Sequence, residues 1–349
     1  MHLALVVLLT ACLFPTRAVA QAETDTLRFY AVSYNVENLF DCVDDSLTND
    51  AEFLPTSDRR WTHGRYRRKI DAIGRAIIAA GDTDQPPALV ALCEVENDTV
   101  MTDLTRRSLL TRAGYRYVMT HSVDPRGIDV ALLYQPSLFR PVGTQSVRPF
   151  PSGDPNPTRD ILHVAGLLLN GDTLDVVVVH LPSRAQGTKA STPRRRRVAQ
   201  CMRQLVDSLT SCRRRPQVLV MGDFNDYPDG PVVQTLRAYM PPTDTDNCPR
   251  DSLFHLLAHR ASTQRRFGSY KYNGEWGLLD HIVVSGLLMH TDNSLHVLPA
   301  TADVFAPDFL LERDTRYGGL KPFRTYYGKR YIGGFSDHLP VRVRMEMVF

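Results

Sequence analysis

The sequence predicts a mixed α/β or α+β fold with two packed β-sheets, and three observations lead there. Apolar runs of strand length, among them Ala88 to Glu94, Thr173 to His180 and Gln217 to Asp223, alternate with helical stripes in two successive rounds. No long helical repeat and no linker interrupts them. Hydrophobic residues make up 43% of the 349 and charged residues 23%, an ordinary globular composition in a chain long enough to bury a sizeable core.

Taken in order, Arg28 to Val36 alternates polar and apolar residues with the period of a first strand. Residues 38 to 64 are irregular, polar and rich in Asp, with Arg59-Arg60 and Trp61 near their end. The spacing of Ile70, Ile73, Ile77 and Ile78 lays one apolar stripe along a helix, which must pack on a sheet. Pro86-Pro87 announces the buried strand Ala88 to Glu94, and an amphipathic helix from Asp98 to Ala113 stops at Gly114. Strands are expected over Tyr115 to Thr120 and Ile128 to Tyr134. Ile161 to Leu169 and Thr173 to His180 form a hairpin about Asn170-Gly171-Asp172. A helix over Pro193 to Leu209 takes Thr192 as N-cap and Pro193 in its first turn. Strand Gln217 to Asp223, a helix from Pro231 to Tyr239, and strands Asp280 to Ser285 and Val341 to Phe349 complete the chain.

The first residues stand apart. Leu3 to Leu13 is almost wholly apolar and leads to Ala18-Val19-Ala20, a small-x-small site before Gln21. This is the pattern of a secretory signal peptide over residues 1–20, too short to span a membrane. It implies a secreted or periplasmic protein, a mature domain over 27–349, and no transmembrane segment after the leader. Leu9-Thr10-Ala11-Cys12 offers a second cleavage reading, with a lipid anchor at Cys12. Cleavage before Gln21 removes Arg17, so the formal charge falls from +3 to 40 minus 38, or +2. That is no polycation, and attraction for anions has to come from local patches. The remaining Cys42, Cys93, Cys201, Cys212 and Cys248 are odd in number, which leaves at least one thiol free. Cys93 reads as a small buried strand residue, while the others could pair in an oxidising compartment.

Several strand-like runs carry, at one end, residues able to hold a hard cation or move a proton. They are Ser33-Tyr34-Asn35-Val36-Glu37-Asn38, Ala91-Leu92-Cys93-Glu94-Val95-Glu96, Val177-Val178-Val179-His180-Leu181-Pro182-Ser183-Arg184 and Val220-Met221-Gly222-Asp223-Phe224-Asn225-Asp226. Gly277-Leu278-Leu279-Asp280-His281-Ile282 carries its acid at the start, and Gly333-Gly334-Phe335-Ser336-Asp337-His338-Leu339-Pro340-Val341 sets a carboxylate beside an imidazole before the closing strand. Singly, each motif is more often a turn residue or a surface charge. Jointly they supply what phosphodiester hydrolysis needs: a cation for the phosphoryl oxygens, a base for water, and help for the leaving alkoxide. Glu94 is the first choice of metal ligand, because an unpaired carboxylate among apolar strand neighbours is costly without a cation, and hard oxygens suit Mg²⁺ or Mn²⁺. His180 and His338 are the candidates for proton transfer, since imidazole titrates near working pH. Asp223 and Asn225 stand two apart, so an extended backbone points both the same way.

In this order the motifs resemble the endonuclease/exonuclease/phosphatase family, which includes deoxyribonuclease I, apurinic endonucleases, sphingomyelinases and inositol phosphatases. The resemblance covers nearly the whole chain after residue 27. It implies a four-layered αββα sandwich with its site at one edge of the paired sheets. It also implies that Glu94 binds the metal, that Asn35 supports it, and that Asp337 contributes from the far side, with Glu37 either a ligand or behind one. By the same resemblance Asp280 holds His338, which acts as general base or phosphate contact, and His180 is an acid toward the leaving group. Asp223 and Asn225 position the attacking water and hold a phosphate oxygen. Asp129 is a candidate to orient His180, and Arg184 and Arg126 are candidate phosphate contacts.

Substrate class rests on weaker signals. Thr192 to Arg197 puts four arginines in a first helical turn, where the dipole disfavours cations; an anionic partner would offset that, and a solvated basic turn is the plainer reading. Tyr317 to Phe335 interleaves aromatic and basic residues, suited either to stacking on nucleotides or to a loop packed by its own rings. Tyr270-Lys271-Tyr272 ahead of Trp276 and Asp280 is similar to extracellular bacterial nucleases of the family. The expectation is a Mg²⁺- or Mn²⁺-dependent nuclease acting on nucleic acid, with no obligate protein partner. A sphingomyelinase-like lipid phosphodiesterase or a sugar-phosphate phosphatase is one alternative. The lipid enzyme would need an apolar hairpin for the bilayer, and the nearest run, Phe305 to Leu311, is broken by Pro307 and Asp308. A non-catalytic binding protein on the same fold is the other.

Overall fold

The computed structural model describes residues 25–184 and 187–349, so the leader over 1–20 and the alternative anchor at Cys12 lie outside the described residues. The alternating first segment forms β1 (Thr26–Leu39), and the isoleucine stripe forms α1 (His63–Ala79). β2 (Leu89–Val95), α2 (Asp98–Arg106), β3 (Arg116–Met119), β4 (Asp129–Tyr134), β5 (Phe139–Val147), β6 (Ile161–Leu168) and β7 (Thr173–His180) follow. Next come α3 (Thr188–Cys212), β8 (Val218–Asp223), α4 (Pro231–Leu236), β9 (Ala238–Tyr239), β10 (Leu253–His255) and α5 (Ala258–Thr263). The last part holds the hairpin of β11 (Tyr270–Tyr272) and β12 (Glu275–Gly277), then β13 (Asp280–Ser285) and β14 (Leu295–Val304). Two small hairpins, β15 (Leu311–Arg313) with β16 (Leu320–Pro322) and β17 (Tyr326–Tyr327) with β18 (Arg330–Tyr331), precede β19 (Val341–Val348).

Two large sheets carry the core, one of six strands in the order β14-β19-β1-β2-β4-β3 and one of seven in the order β5-β6-β7-β8-β13-β10-β9. Because successive strand side chains face opposite ways, the sequence of each strand decides which layer a residue enters. On β7, Leu174, Val176 and Val178 join the core shared with the first sheet, whereas Val177 and Val179 meet Val198, Ala199, Met202 and Val206 of α3. β8 repeats the division, with Leu219 and Met221 in the shared core and Val218 and Val220 toward α3 and α4. Ile70, Ile73 and Ile77 of α1 and Val100, Met101 and Leu104 of α2 are buried with the strands of the first sheet. The layers run helix, sheet, sheet, helix, as the resemblance implies. No helix among the described residues is long and apolar enough to cross a membrane.

The differences from the sequence reading have local causes. α3 begins at Thr188, so Thr192 is no N-cap and Pro193 lies inside the helix. The helix expected up to Ala113 breaks at Arg106, and Leu109–Ala113 forms a separate 3-10 turn started by the Ser108 hydroxyl, which accepts from the Leu110 N–H at 3.0 Å. α4 ends at Leu236, where Arg237 takes a left-handed conformation and the chain enters β9. β5 carries no strand signal because it is a mostly exposed edge containing Pro141; its pairing is dictated by β6. The hairpin about Asn170-Gly171-Asp172 forms as read, with Gly171 at φ +86. All five described cysteines are free.

Gly222, one residue before Asp223, sits at φ +147, and a Cβ there would collide with the Val179 carbonyl of the neighbouring strand. Gly222→Ala should therefore cost about 3 kcal/mol or more, read as a fall in the urea midpoint at unchanged slope. A loss below about 1 kcal/mol would mean that β7 and β8 part freely at this point.

Candidate active site

Strand register builds the site. β7 and β8 run parallel with His180 opposite Asp223, and β13 runs antiparallel to β8 with Asp280 opposite Asp223. An imidazole and two carboxylates thus stand in a row across three adjacent strands. From the other sheet, β1 and β2 run parallel with Asn35 opposite Cys93, bringing Asn35 and Glu94 to the same edge. Both strands are irregular at that edge: pairing shifts between Asn35 and Leu39 on β1 and between Cys93 and Val95 on β2. Such bulges re-aim side chains. Glu37, Asn38 and Glu94 accordingly hold positive φ, and so, in the loop after β8, does Asn225, all between 49 and 67, a strained conformation that costs about 1 kcal/mol or more at each non-glycine residue.

At the centre lies the buried Asp223. Its Oδ2 accepts from the Asn35 side-chain amide at 3.0 Å and the Asn225 side-chain amide at 3.2 Å, and its Oδ1 accepts from the Asn225 backbone N–H at 2.8 Å. Burial pushes its pKa up to about 7, against the pull of His338 and with the help of the Asp280 charge. His338 Nδ1 bonds Asp280 Oδ2 at 2.7 Å, and its Nε2 lies 3.9 Å from Asp223 Oδ2. Burial alone would lower the His338 pKa, but the charge of Asp280 and the hydrogen bond to it outweigh that and raise it well above 6.5. The ring of Tyr270 packs against His338 at 4.8 Å, and the Ser336 hydroxyl ties the backbone N–H of His338 to the Asn35 carbonyl.

His180 is different. Its Nε2 lies 3.6 Å from Asp223 Oδ2 and 3.8 Å from Glu94 Oε1, but its buried Nδ1 has no hydrogen-bond partner among the described residues. Burial first, then the positive charges of Arg159, Arg126 and His338, hold its pKa well below 6.5. Asp129 does not orient it. That carboxylate accepts from the Thr120 hydroxyl at 2.6 Å and the Ser122 N–H at 3.0 Å, serving the β3–β4 connection instead.

Beyond Asp223 lies a group of carboxylates. Glu94 Oε2 accepts from the Asn38 N–H at 2.8 Å, and the Lys69 ammonium feels the charges of Glu37, Asp337 and Glu94 together. Both oxygens of Glu37 are engaged: its Oε1 accepts from Arg324 at 3.1 and 3.2 Å and its Oε2 from the Thr325 N–H at 2.7 Å, with Lys69 at 4.0 Å, so of the two readings left open for Glu37 these bonds favour a residue behind the ligands. Asp337 gives Oδ2 to Arg324, at 3.0 Å, while among the described residues Glu94 Oε1 meets no donor closer than His180, at 3.8 Å. These hard oxygens, with the amide oxygen of Asn35, fit a divalent ion of the Mg²⁺ or Mn²⁺ type. Asp223, Asp280 and His338 also bring one ligand atom each within 4.8 Å of one another, but their imidazole already donates to Asp280.

Arg126 reaches Asn38 Oδ1 at 2.5 Å and lies 4.0 Å from Glu94, half exposed at the rim. Arg184 stacks over the Tyr227 ring at 4.4 Å, two residues beyond Asn225. The arginine-rich run lies past the first turn of α3, with Arg196 and Arg197 exposed and three of the four arginines bonded within the fold. Arg195 is fully buried and bonds the Ser191 and Thr192 hydroxyls, Arg194 reaches Asp154, and Arg197 reaches the Pro149 carbonyl. Most of the aromatic-basic stretch packs on itself, with Tyr326 against Trp61 and Tyr331, and Phe335 against Phe309 and Phe323. Sequence reasoning missed Arg324 and Lys69. Lys69 did carry a signal: it falls on the apolar stripe between Tyr66 and Ile73, the face a helix buries.

Among curated proteins none matches the sequence significantly. The fold matches that of an endonuclease/exonuclease/phosphatase family protein from Bacteroides thetaiotaomicron, at 14% identity and a TM-score of 0.54 over 93% of this chain and 99% of that one. It also matches an endonuclease/exonuclease/phosphatase from Bacteroides vulgatus, at 12% identity and a TM-score of 0.55 over 92% and 99%. D. rerio TDP2, solved in complex with a single-strand DNA product, matches at 12% identity and a TM-score of 0.53 over 91% and 98%. Identities this low speak for the fold alone. The sequence profile of the endonuclease/exonuclease/phosphatase family matches residues 30–347, nearly everything described, and the chain belongs to that family.

Proposed function

We propose that the protein is a secreted, divalent-metal-dependent phosphoesterase, and specifically a nuclease that hydrolyses phosphodiester bonds by in-line attack of water. Family membership supports the phosphoesterase class; the metal, the substrate and export through the leader over 1–20 ahead of a 27–349 domain are our reading. The observation that carries it is a buried carboxylate with a near-neutral pKa, Asp223, held by two asparagines within 4 Å of two imidazoles of opposite protonation state.

In this reading Asp223 is the base, since a group titrating near working pH combines availability with proton affinity. His338, kept charged by Asp280, is then a phosphate contact rather than a base, holding a phosphoryl oxygen through Nε2–H. His180 is neutral, so it offers a hydrogen bond to the phosphoryl group, and the acid role expected of it is the one its surroundings oppose. Asn225 fixes the Asp223 carboxylate and is in turn fixed by the Leu181 carbonyl at 3.0 Å. Glu94, Asp337 and Asn35 would hold the divalent ion. Bound there, it would neutralise phosphoryl charge and stabilise the leaving alkoxide. Arg126 and Arg184 flank the site for neighbouring phosphates.

Nucleic acid is favoured over lipid by where the apolar residues of the Phe305–Leu311 run go. Phe305 lies under Arg342, Phe309 lies between Arg75 and Phe335, and Leu310 is buried, so this run is taken up by the fold and is not free for a bilayer. The DNA product bound to D. rerio TDP2 is in keeping with this preference.

Two experiments test the reading. Residues 21–349 assayed with Mg²⁺ or Mn²⁺ on plasmid DNA, RNA, sphingomyelin and inositol phosphates should act on nucleic acid, and Glu94→Ala and His180→Ala should each lose about 100-fold or more. DNA cleavage that survives both substitutions would put the chemistry elsewhere. In the pH profile of kcat/KM, Asp223 works only deprotonated, so the rate should fall below about pH 7. His338 works only protonated, so the basic limb should lie well above pH 6.5. Asp280→Asn removes the charge that raises His338 and should move the basic limb down by about one unit or more; an unmoved limb would remove His338 from its role.

A further inference from the structure

Glu37 and Asp337, two carboxylates of like charge, meet at one nitrogen of Arg324, with Glu37 buried. What makes the pair tolerable is a guanidinium. Arg324 gives Nε and one terminal nitrogen to Glu37 Oε1 at 3.2 and 3.1 Å, and the same terminal nitrogen to Asp337 Oδ2 at 3.0 Å. With Lys69 on the other Glu37 oxygen, two acids and two cations cancel. The arrangement is anchored rather than incidental. Lys69, 1% exposed on α1, donates to the Thr325 hydroxyl at 2.5 Å and to the Phe335 carbonyl, pinning the segment that carries Arg324.

We propose that Arg324 is a positioning residue that serves as the resident counter-cation of Glu37 and Asp337 and sets how tightly the adjoining site takes a divalent ion, with Glu37 as its anchor and not a ligand. This rests on the reading of Glu94 and Asp337 as the metal-binding carboxylates. A fixed positive charge a few ångströms from a divalent cation opposes its entry through the low-dielectric surroundings, and removing it should help binding. Loss of a merely structural arginine would do the reverse, so the sign of the effect decides.

The test is Mn²⁺ affinity by isothermal titration calorimetry on the folded protein at fixed pH and ionic strength. Arg324→Gln should tighten Mn²⁺ binding about tenfold, and Arg324→Lys, which keeps the charge, should stay within about twofold of wild type. Glu37→Gln leaves Arg324 undercompensated and should weaken binding about tenfold, while the double variant Glu37→Gln/Arg324→Gln should return to within about threefold of wild type. Arg324→Gln binding no tighter than wild type would overturn the proposal. So would a double variant as weak as Glu37→Gln, which would make Glu37 a ligand after all; that comparison also carries the test if Arg324→Gln alone fails to fold. Wild-type protein that binds no Mn²⁺ would instead sink the underlying assignment of Glu94 and Asp337, an outcome distinct from a wrong sign at Arg324.

Discussion

Three strands of one sheet end at a common level, and everything in the site follows from what their in-register pairing forces together. His180, Asp223 and Asp280 are neighbours because β7, β8 and β13 pair at those residues, and no side-chain freedom can separate them. Two buried carboxylates side by side raise each other's cost of ionisation. The protein meets that cost in two ways: Asp280 takes a charged His338 as its partner, while Asp223 is left with neutral amides and a pKa raised toward neutrality. Identical chemical groups one strand apart thus acquire different partners, a charged imidazole for one and neutral amides for the other, from their environments alone.

The second sheet supplies charge of a different kind. Its edge carries Asn35 at the last regular pair and then Glu37 and Glu94 out of regular pairing, on bulged and positive-φ backbone. That strain is sustained because the surrounding strands are deeply buried on both sides of the irregularity and leave the backbone no alternative path. Lys69 and Arg324, from a helix and a late loop, then tie Glu37 and Asp337 into a neutral group. The site is consequently divided between a proton-handling half and a carboxylate half, with Asn35 bridging them through its bond to Asp223 and through the Glu37 N–H it accepts at 3.0 Å.

Charge runs proved poor guides to function here, for a physical reason. The arginines of α3 look like an anion site when only helical position is considered, but tertiary packing offers Arg194, Arg195 and Arg197 hydroxyls, a carboxylate and carbonyls close by. An arginine that makes such bonds is structural whatever its register on the helix. The same holds for the aromatic loop before the last strand, whose rings find one another and Trp61 before any ligand. Conversely Arg324, which does reach the site, sits in that loop with nothing local to mark it.

What the sequence determined by itself was the layering and the roster of acids and imidazoles. Alternation along β7 and β8, the isoleucine stripe of α1 and the Asn-Gly-Asp hairpin are local patterns, and local periodicity survives into the fold because each strand or helix must bury one face. Asn35, Glu94, His180, Asp223, Asp280, Asp337 and His338 were legible as strand-end motifs for the same reason. Only the tertiary structure decided what state each is in and who holds whom. The proton on His338 and the clamp on Glu37 depend on residues dozens to hundreds of positions away, and they and the unpaired Nδ1 of His180 depend on burial that converts a small change of neighbour into a large change of charge preference. Pairing and desolvation are properties of the assembled interior, and no window of sequence contains them.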